Sequence, residues 1–321
     1  MTTEFRRHDL TLDPGVAGLR LDQALARLLP QYSRSRIQGW IERGSVSIDG
    51  RPARARDRVL GGEQVALEGE VPAVSAVAPQ AMPLRIVHED DDLLVIDKPA
   101  GLVVHPGAGN RDRTLQNGLL AHDPGLARVP RAGLVHRLDK DTSGLMVVAR
   151  TIEAHAALVD LLAARDISRE YLAVASGVMT GGGTIDEPIG RHRSARVKMA
   201  VRQDGREAVT HYRVVERFRA HTFVRVTLET GRTHQIRVHL AHAGYPILGD
   251  PVYGGRRRLP AGASPALLEA LQAFQRQALH AARLAFVHPS NGEALAFEAP
   301  MPADMQALIT VLSEDVRAVG E

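Results

Sequence analysis

Apolar positions along the chain follow two regimes, separated by a stretch that follows neither. In the first regime Leu21, Ala24, Leu25, Leu28 and Leu29 recur at three- and four-residue spacing, which predicts a helix with one apolar stripe, ended by Pro30. A second helix is predicted around Ile37, Trp40 and Ile41, with Ser33 as its N-cap and Gly44 just past its end. Val46-Ser47-Ile48 alternates as a strand and runs into the tight-turn signal Asp49-Gly50, and Gln64–Leu67 reads as its partner strand. Residues 18–68 are thus expected to form a small α/β module, preceded by an N-terminal extension over 1–17. Residues 69–83 contain three prolines and no period, which predicts a semi-extended linker.

From residue 84 onward strands and helices mix without regular alternation. Strands are predicted at Leu84–His88, Leu93–Asp97, Leu145–Ala149, Glu170–Ala175, His211–Val215, Phe223–Leu228, Leu284–Val287 and Ala294–Phe297. Helices are predicted at Thr114–Ala121, Ile152–Arg165, Thr233–Ala243, Pro265–Gln275 and Pro302–Val316. Neighbouring strands with no helix between them, as over 211–228 and 284–297, imply antiparallel pairing. The expected class is α+β: a mainly antiparallel mixed sheet with flanking helices over 84–321.

Composition narrows the chemistry. The chain has no cysteine, which excludes disulfides, thiolate metal sites and a cysteine nucleophile. Lys98, Lys140 and Lys198 are the only lysines, so arginine carries nearly all the positive charge of a chain with pI near 9.5. From Arg20 to Arg58 nine arginines face four acids. Arg36 and Arg43 lie seven residues apart and share one side of the second predicted helix. With Arg34 they are candidate phosphate contacts, since the guanidinium fork suits phosphate oxygens. Neither a secretion-signal core nor a membrane-length apolar run is present, so a cytoplasmic protein is expected.

Three segments are too polar for their surroundings: His136–Gly144, between the apolar Ala132–Val135 and a predicted strand; Thr230–Arg237, leading into a helix; and Arg169-Glu170-Tyr171, opening a strand. Ionisable loops held between strands are where reactive side chains are commonly presented. His234, His239 and His242 are spaced by five and three, which does not match paired helical zinc ligands. Gly181-Gly182-Gly183 lacks the Lys-Ser/Thr of a phosphate-binding loop, and Ser143 lacks the flanks of a nucleophile elbow.

These residues carry a family likeness. Leu134-Val135-His136-Arg137-Leu138-Asp139-Lys140-Asp141-Thr142-Ser143-Gly144 resembles the signature of the RluA-type pseudouridine synthases. Leu94–Pro106, Gly231–His239 and Gly249-Asp250-Pro251 with Tyr253-Gly254 resemble segments upstream and downstream of it, over about Leu84 to Pro300. The N-terminal module resembles the small RNA-binding domain first described in a ribosomal small-subunit protein (S4-like). The resemblance implies a pseudouridine synthase fold and the isomerisation of uridine to pseudouridine. Together with Gly107-Ala108-Gly109-Asn110, it implies a 23S ribosomal RNA or pre-ribosomal large-subunit substrate. It also implies site roles: Asp139 as the catalytic carboxylate, Arg237 as its partner, Tyr171 stacked on the target uracil, Ile236 in apolar contact with it, and Arg137 filling the gap left by the extracted base. His136 and Thr142 are expected at the substrate-binding site, shaping the loop through hydrogen bonds. Arg169 departs from the family, which often has Lys there, but keeps the charge.

The residue types suit that reaction. The base must leave the stack before its glycosidic bond can be reached. An ionised carboxylate can attack the sugar carbon or remove a sugar proton, and the sequence does not separate these routes. No redox step or group donor is needed, so no cofactor, no metal and no membrane are expected, and a monomer is. Three alternatives stay open here: a synthase acting on transfer RNA, a non-catalytic RNA-binding ribosome-assembly factor, and a nucleoside hydrolase using Asp139.

Overall fold

In the computed structural model, which describes residues 3–30, 32, 34–72, 77–107, 109–195, 198–255 and 258–320, the chain divides into two units, Met1–Ala78 and Pro79–Glu321. The expected N-cap Ser33, and Ala108 of the Gly107–Asn110 segment, lie outside the described residues.

In the first unit the elements are β1 (Thr3–Thr11), α1 (Leu21–Leu28), α2 (Arg34–Glu42), β2 (Val46–Ile48), β3 (Arg51–Pro52) and β4 (Gln64–Pro72), with the sheet ordered β1-β4-β2-β3. The two predicted apolar stripes meet in its core: Leu21, Leu25, Ile37 and Trp40 are buried with Val65 and Leu67. Trp40 lies so close to β4 that a Cβ at Gly69 would stand 2.3 Å from its ring, so only glycine fits there. The expected extension and linker are both partly strand. β1 pairs antiparallel with β4 from Thr3↔Pro72 to Thr11↔Gln64, which takes in residues 69–72. Thr-Glu-Phe-Arg-Arg-His-Asp-Leu-Thr has no apolar face to announce a strand, and Phe5 is 64% exposed; what holds it is the backbone ladder to a partner about sixty residues away.

The second unit contains β5 (Ile86–Glu89), β6 (Leu93–Lys98), α3 (Leu115–His122), β7 (Ser143–Ala149), α4 (Ile152–Ala164), β8 (Ser168–Ser176) and β9 (Gly183–Asp186). Then follow β10 (Ile189–Arg191), β11 (Met199–Val201), β12 (Val209–Arg217), β13 (His221–Leu228), α5 (Gln235–His242), α6 (Pro265–Ala273), β14 (Leu279–Val287), β15 (Ala294–Glu298) and α7 (Ala303–Gly320). The main sheet runs β5-β6-β7-β14-β8-β13-β12-β9, with β15 also on β14. Its pairs are antiparallel except β7–β14, so the class is α+β on a mixed sheet. β6 and β7 are buried along their whole length, consistent with their unbroken apolar runs. The short strands β9, β10 and β11 were not visible as patterns, because Gly183-Thr184-Ile185-Asp186 and its neighbours are too short to show a period. No helix among the described residues is long and apolar enough to cross a membrane.

One strand junction positions the site. The parallel pairs His280↔Ser143 and Ala281↔Gly144 set the start of β7 beside β14, and Ala281↔Tyr171 sets β14 beside β8. Gly144 has φ +112°, and a Cβ there would lie 2.2 Å from the Ala281 carbonyl oxygen, so glycine is required where the polar loop enters the sheet.

Candidate active site

The loop before β7 is fixed mainly by backbone carbonyls. Lys98, at the end of β6 and 1% exposed, donates from Nζ to the carbonyls of Pro99 (2.8 Å), Leu102 (3.0 Å) and Lys140 (3.0 Å). Its three N–H groups thus match three acceptors. Burial pushes the Lys98 ammonium down to about 8, against the pull of Asp141 and Asp139. Within the loop Thr142 N–H donates to the Asp139 carbonyl at 3.1 Å, while Gln277 Nε2 donates to Thr142 Oγ1 at 3.1 Å and Arg276 to the Asp141 carbonyl at 3.2 Å. His136 accepts from the Val147 N–H at 3.1 Å, and burial, assisted by Arg169, pushes its imidazole down to about 3, so it stays neutral. Both His136 and Thr142 line the cleft.

Asp139 projects from this loop and its Oδ2 accepts from Arg237 Nη1 at 2.9 Å. Arg237, on the first turn of α5, is itself held from behind: Nε and Nη2 donate to Asp250 at 2.7 and 2.9 Å. Asp250 Oδ1 in turn accepts from the N–H groups of Val252 (2.8 Å) and Tyr253 (3.0 Å). Burial works against the charged form of Asp250, but the Arg237 guanidinium outweighs it and holds the carboxyl below the usual range. The same two carboxylates raise Arg237 against its own burial. One guanidinium is therefore clamped in plane by a buried carboxylate and presents its remaining edge to Asp139.

His234 stands beside this pair with φ 56°, which is why α5 begins at Gln235 and not at the predicted Thr233. Its Nδ1 lies 2.8 Å from Tyr253 Oη, which already accepts from the Met199 N–H. The hydroxyl proton is thus free to go to Nδ1, a tautomer that leaves an N–H on Nε2, 3.8 Å from Asp139 Oδ1. Burial lowers the His234 imidazole in spite of Asp139.

Asp139, Arg237 and His234 line a cleft of about 600 Å³ within the second unit, together with Arg137, Tyr171 and Ile236. Tyr171, on β8, and Ile236, on α5, are 6% and 4% exposed and give it apolar walls. Arg131, Arg137, Arg169, Arg232 and Arg237 also line it, and Asp139 is the one carboxylate among the described lining residues. Seven residues singled out from the sequence, namely Arg137, Asp139, Tyr171, Ile236, Arg237, His136 and Thr142, thus come together in one place. Arg34, Arg36 and Arg43 belong to the other unit. There Arg34 donates to the buried Asp22 at 2.7 Å, which also takes Arg20 and Gln38, so its guanidinium is committed partly inward. His239 bonds Thr210 Oγ1 and the Glu187 carbonyl inside the fold.

Sequence reading gave no role to Lys98, Asp250, His234 or Tyr253, although each sits in a segment the family likeness quoted. For Lys98 a signal was present: one of only three lysines, following the apolar run Leu93–Ile96, in a chain whose positive charge is nearly all arginine.

Residues 92–242 match the family model described as RNA pseudouridylate synthase, and residues 19–65 match the S4 domain. The chain is 58% identical, over 95% of its length and 92% of the relative's, to the ribosomal large subunit pseudouridine synthase D of Xanthomonas campestris pv. campestris. It is 57% identical to the protein of that name from Pseudomonas aeruginosa, over 94% of this chain and 95% of the other. Among solved structures, human RNA pseudouridylate synthase domain containing 4 aligns with a TM-score of 0.56 and 28% identity, over 71% of this chain and 93% of that one. Human RNA pseudouridylate synthase domain containing 1 aligns with a TM-score of 0.55 and 25% identity, over 74% and 95%.

Proposed function

The chain belongs to the RNA pseudouridylate synthase family, and on that premise we propose that it isomerises specific uridines of large-subunit ribosomal RNA, with Asp139 as the catalytic carboxylate. One observation carries the residue assignment: Asp139 meets, at 2.9 Å, a guanidinium that Asp250 holds in place, inside a cleft walled by Tyr171 and Ile236. A guanidinium held in this way fixes the direction of the carboxylate it meets.

The target uridine swings out of its helix, and Arg137, exposed at the cleft, takes its place against the neighbouring bases. The extracted uracil stacks on Tyr171, a contact of about 1–3 kcal/mol per base, with Ile236 on its apolar side. Asp139 then acts at the ribose while Arg237 keeps it aimed. The reaction moves one bond from a ring nitrogen to a ring carbon of the same base, so it consumes no oxidant and no group donor. The arginines of the S4-like unit, Arg36 and Arg43 with the partly engaged Arg34, grip RNA phosphates. Ribosomal RNA as substrate places the activity in the cytoplasm, with the chain acting as a monomer.

The test is pseudouridine mapping in total RNA from cells lacking the gene, complemented with the wild type or with Asp139→Asn. Sites in large-subunit RNA that vanish without the gene return with the wild type and not with the variant. Return of those sites with Asp139→Asn would overturn the assignment and favour an assembly-factor role, and loss of sites in transfer RNA instead would change the substrate.

A further inference from the structure

Arg169 opens β8 two residues before Tyr171, so both side chains leave the same face of the strand, about 7 Å apart. It is 7% exposed and lines the same cleft as Asp139. Among the described residues no carboxylate pairs with it. Nε has no hydrogen-bond partner, and the contact of Nη2 with the Glu229 carbonyl is long, at 3.5 Å. The Glu229 carboxylate is taken by Arg165 and His211. His136, which Arg169 faces, is neutral. Nor is the side chain loosely placed: a Cβ at Gly231 would stand 2.7 Å from Nη1, so the guanidinium fits against bare backbone. A buried, unpaired cation is costly to keep unless a negative group arrives during function.

We propose that Arg169 is a catalytic residue that receives the negative charge developing on the departing uracil. This rests on the functional reading above. As the C1′–N1 bond breaks, its electron pair passes to N1 and is shared with the O2 carbonyl. The sugar is made whole either by a bond from the Asp139 carboxylate to C1′, or by transfer of the C2′ proton to Asp139 with a C1′–C2′ double bond forming. The uracil anion, held by Arg169 beside the Tyr171 ring, turns and bonds to C1′ through C5. As that bond forms the carboxylate leaves C1′, or the proton returns from Asp139 to C2′, and the C5 proton is lost as N1 gains one. Atoms and electrons balance without a co-reactant. A preorganised donor in a water-poor site is the usual source of such stabilisation.

The experiment uses the full chain and a synthetic RNA stem-loop carrying the mapped target as uridine or as 5-fluorouridine. Single-turnover loss of the parent nucleoside is measured by digestion and chromatography, alongside RNA affinity. Arg169→Met is expected to slow the uridine reaction by about 10²–10³-fold, with RNA affinity little changed. The loss on 5-fluorouridine is expected to be at least tenfold smaller, because fluorine already stabilises the leaving anion. Arg169→Lys, which keeps the charge, retains more of the uridine rate than Arg169→Gln, and that pair reads the same difference if the Met variant does not fold. Equal losses on the two substrates, or no loss on uridine, overturn the inference and leave the functional reading standing. A wild-type chain that forms no pseudouridine overturns both.

Discussion

Arg237 is shared unequally between two carboxylates, and the inequality separates stability from catalysis. Asp250 takes two of its N–H groups and has no exposed side-chain surface, whereas Asp139 takes one and keeps 15% exposure. In Asp250→Ala the guanidinium remains buried with one partner, and the N–H groups of Val252 and Tyr253 lose their acceptor. Removing one member of a buried pair costs about 3–5 kcal/mol. At about 2–4 °C per kcal/mol for a domain of this size, the unfolding midpoint should fall by roughly 6–20 °C. In Asp139→Ala the bidentate clamp is intact, so the loss is on the order of 1 kcal/mol or less. Catalysis reverses the order: Asp139→Ala abolishes it, while Asp250→Ala lowers it by about 10²-fold through a misplaced Arg237. Thermal unfolding and single-turnover pseudouridine formation on the same preparations decide it. If Asp250→Ala melted with the wild type, or Asp139→Ala fell as far as Asp250→Ala, the anchoring role given to Asp250 would be refuted.

Lys98→Met leaves three carbonyls without their donor, each costing about 1–3 kcal/mol if buried and unmatched; urea unfolding should show the loss, and turnover should fall at least tenfold as the loop loosens. His136 titrates near 3 in the folded chain against its ordinary 6.5, so between those values the unfolded chain holds more protons and stability drops as pH falls from 6.5 toward 3. His136→Gln, which can still accept from the Val147 N–H, should flatten that slope in denaturation curves taken between pH 7.5 and 5, and an unchanged slope argues against it. Gly144→Ala drives a methyl into the Ala281 carbonyl, so poor soluble yield or a collapsed melting transition is expected, and a native-like variant would contradict the strained junction.

Much of the site could be read locally because its parts are contiguous. His136–Gly144 announces itself as a charged loop between apolar runs, and Arg237 lies in a polar segment that opens a helix. Apolar runs likewise marked β6, β7 and the helix pair of the first unit. β1 escaped because its hold is a backbone ladder to β4, which leaves no side-chain period to detect. The roles of Lys98 and Asp250 escaped for a related reason. Each is defined in part by a partner outside its own segment: Lys98 by the carbonyl of Lys140, Asp250 by Arg237.

By itself, the order of residues determined the chemistry on offer: a carboxylate, its candidate arginine, a stacking aromatic, an arginine-rich leading module and no thiol. Residue types are local properties, and periodicity and composition report them directly. Tertiary structure alone decided which of these groups face one another and which are left unmatched. The parallel contact of β7 with β14 puts Gly144, Ala281 and Tyr171 in one row across three strands. Asp250 turns one edge of Arg237 toward Asp139, and no carboxylate among the described residues answers Arg169. Whether a buried charge is neutralised depends on distances of a few ångströms between segments far apart in sequence, and those distances exist only once the sheet has closed.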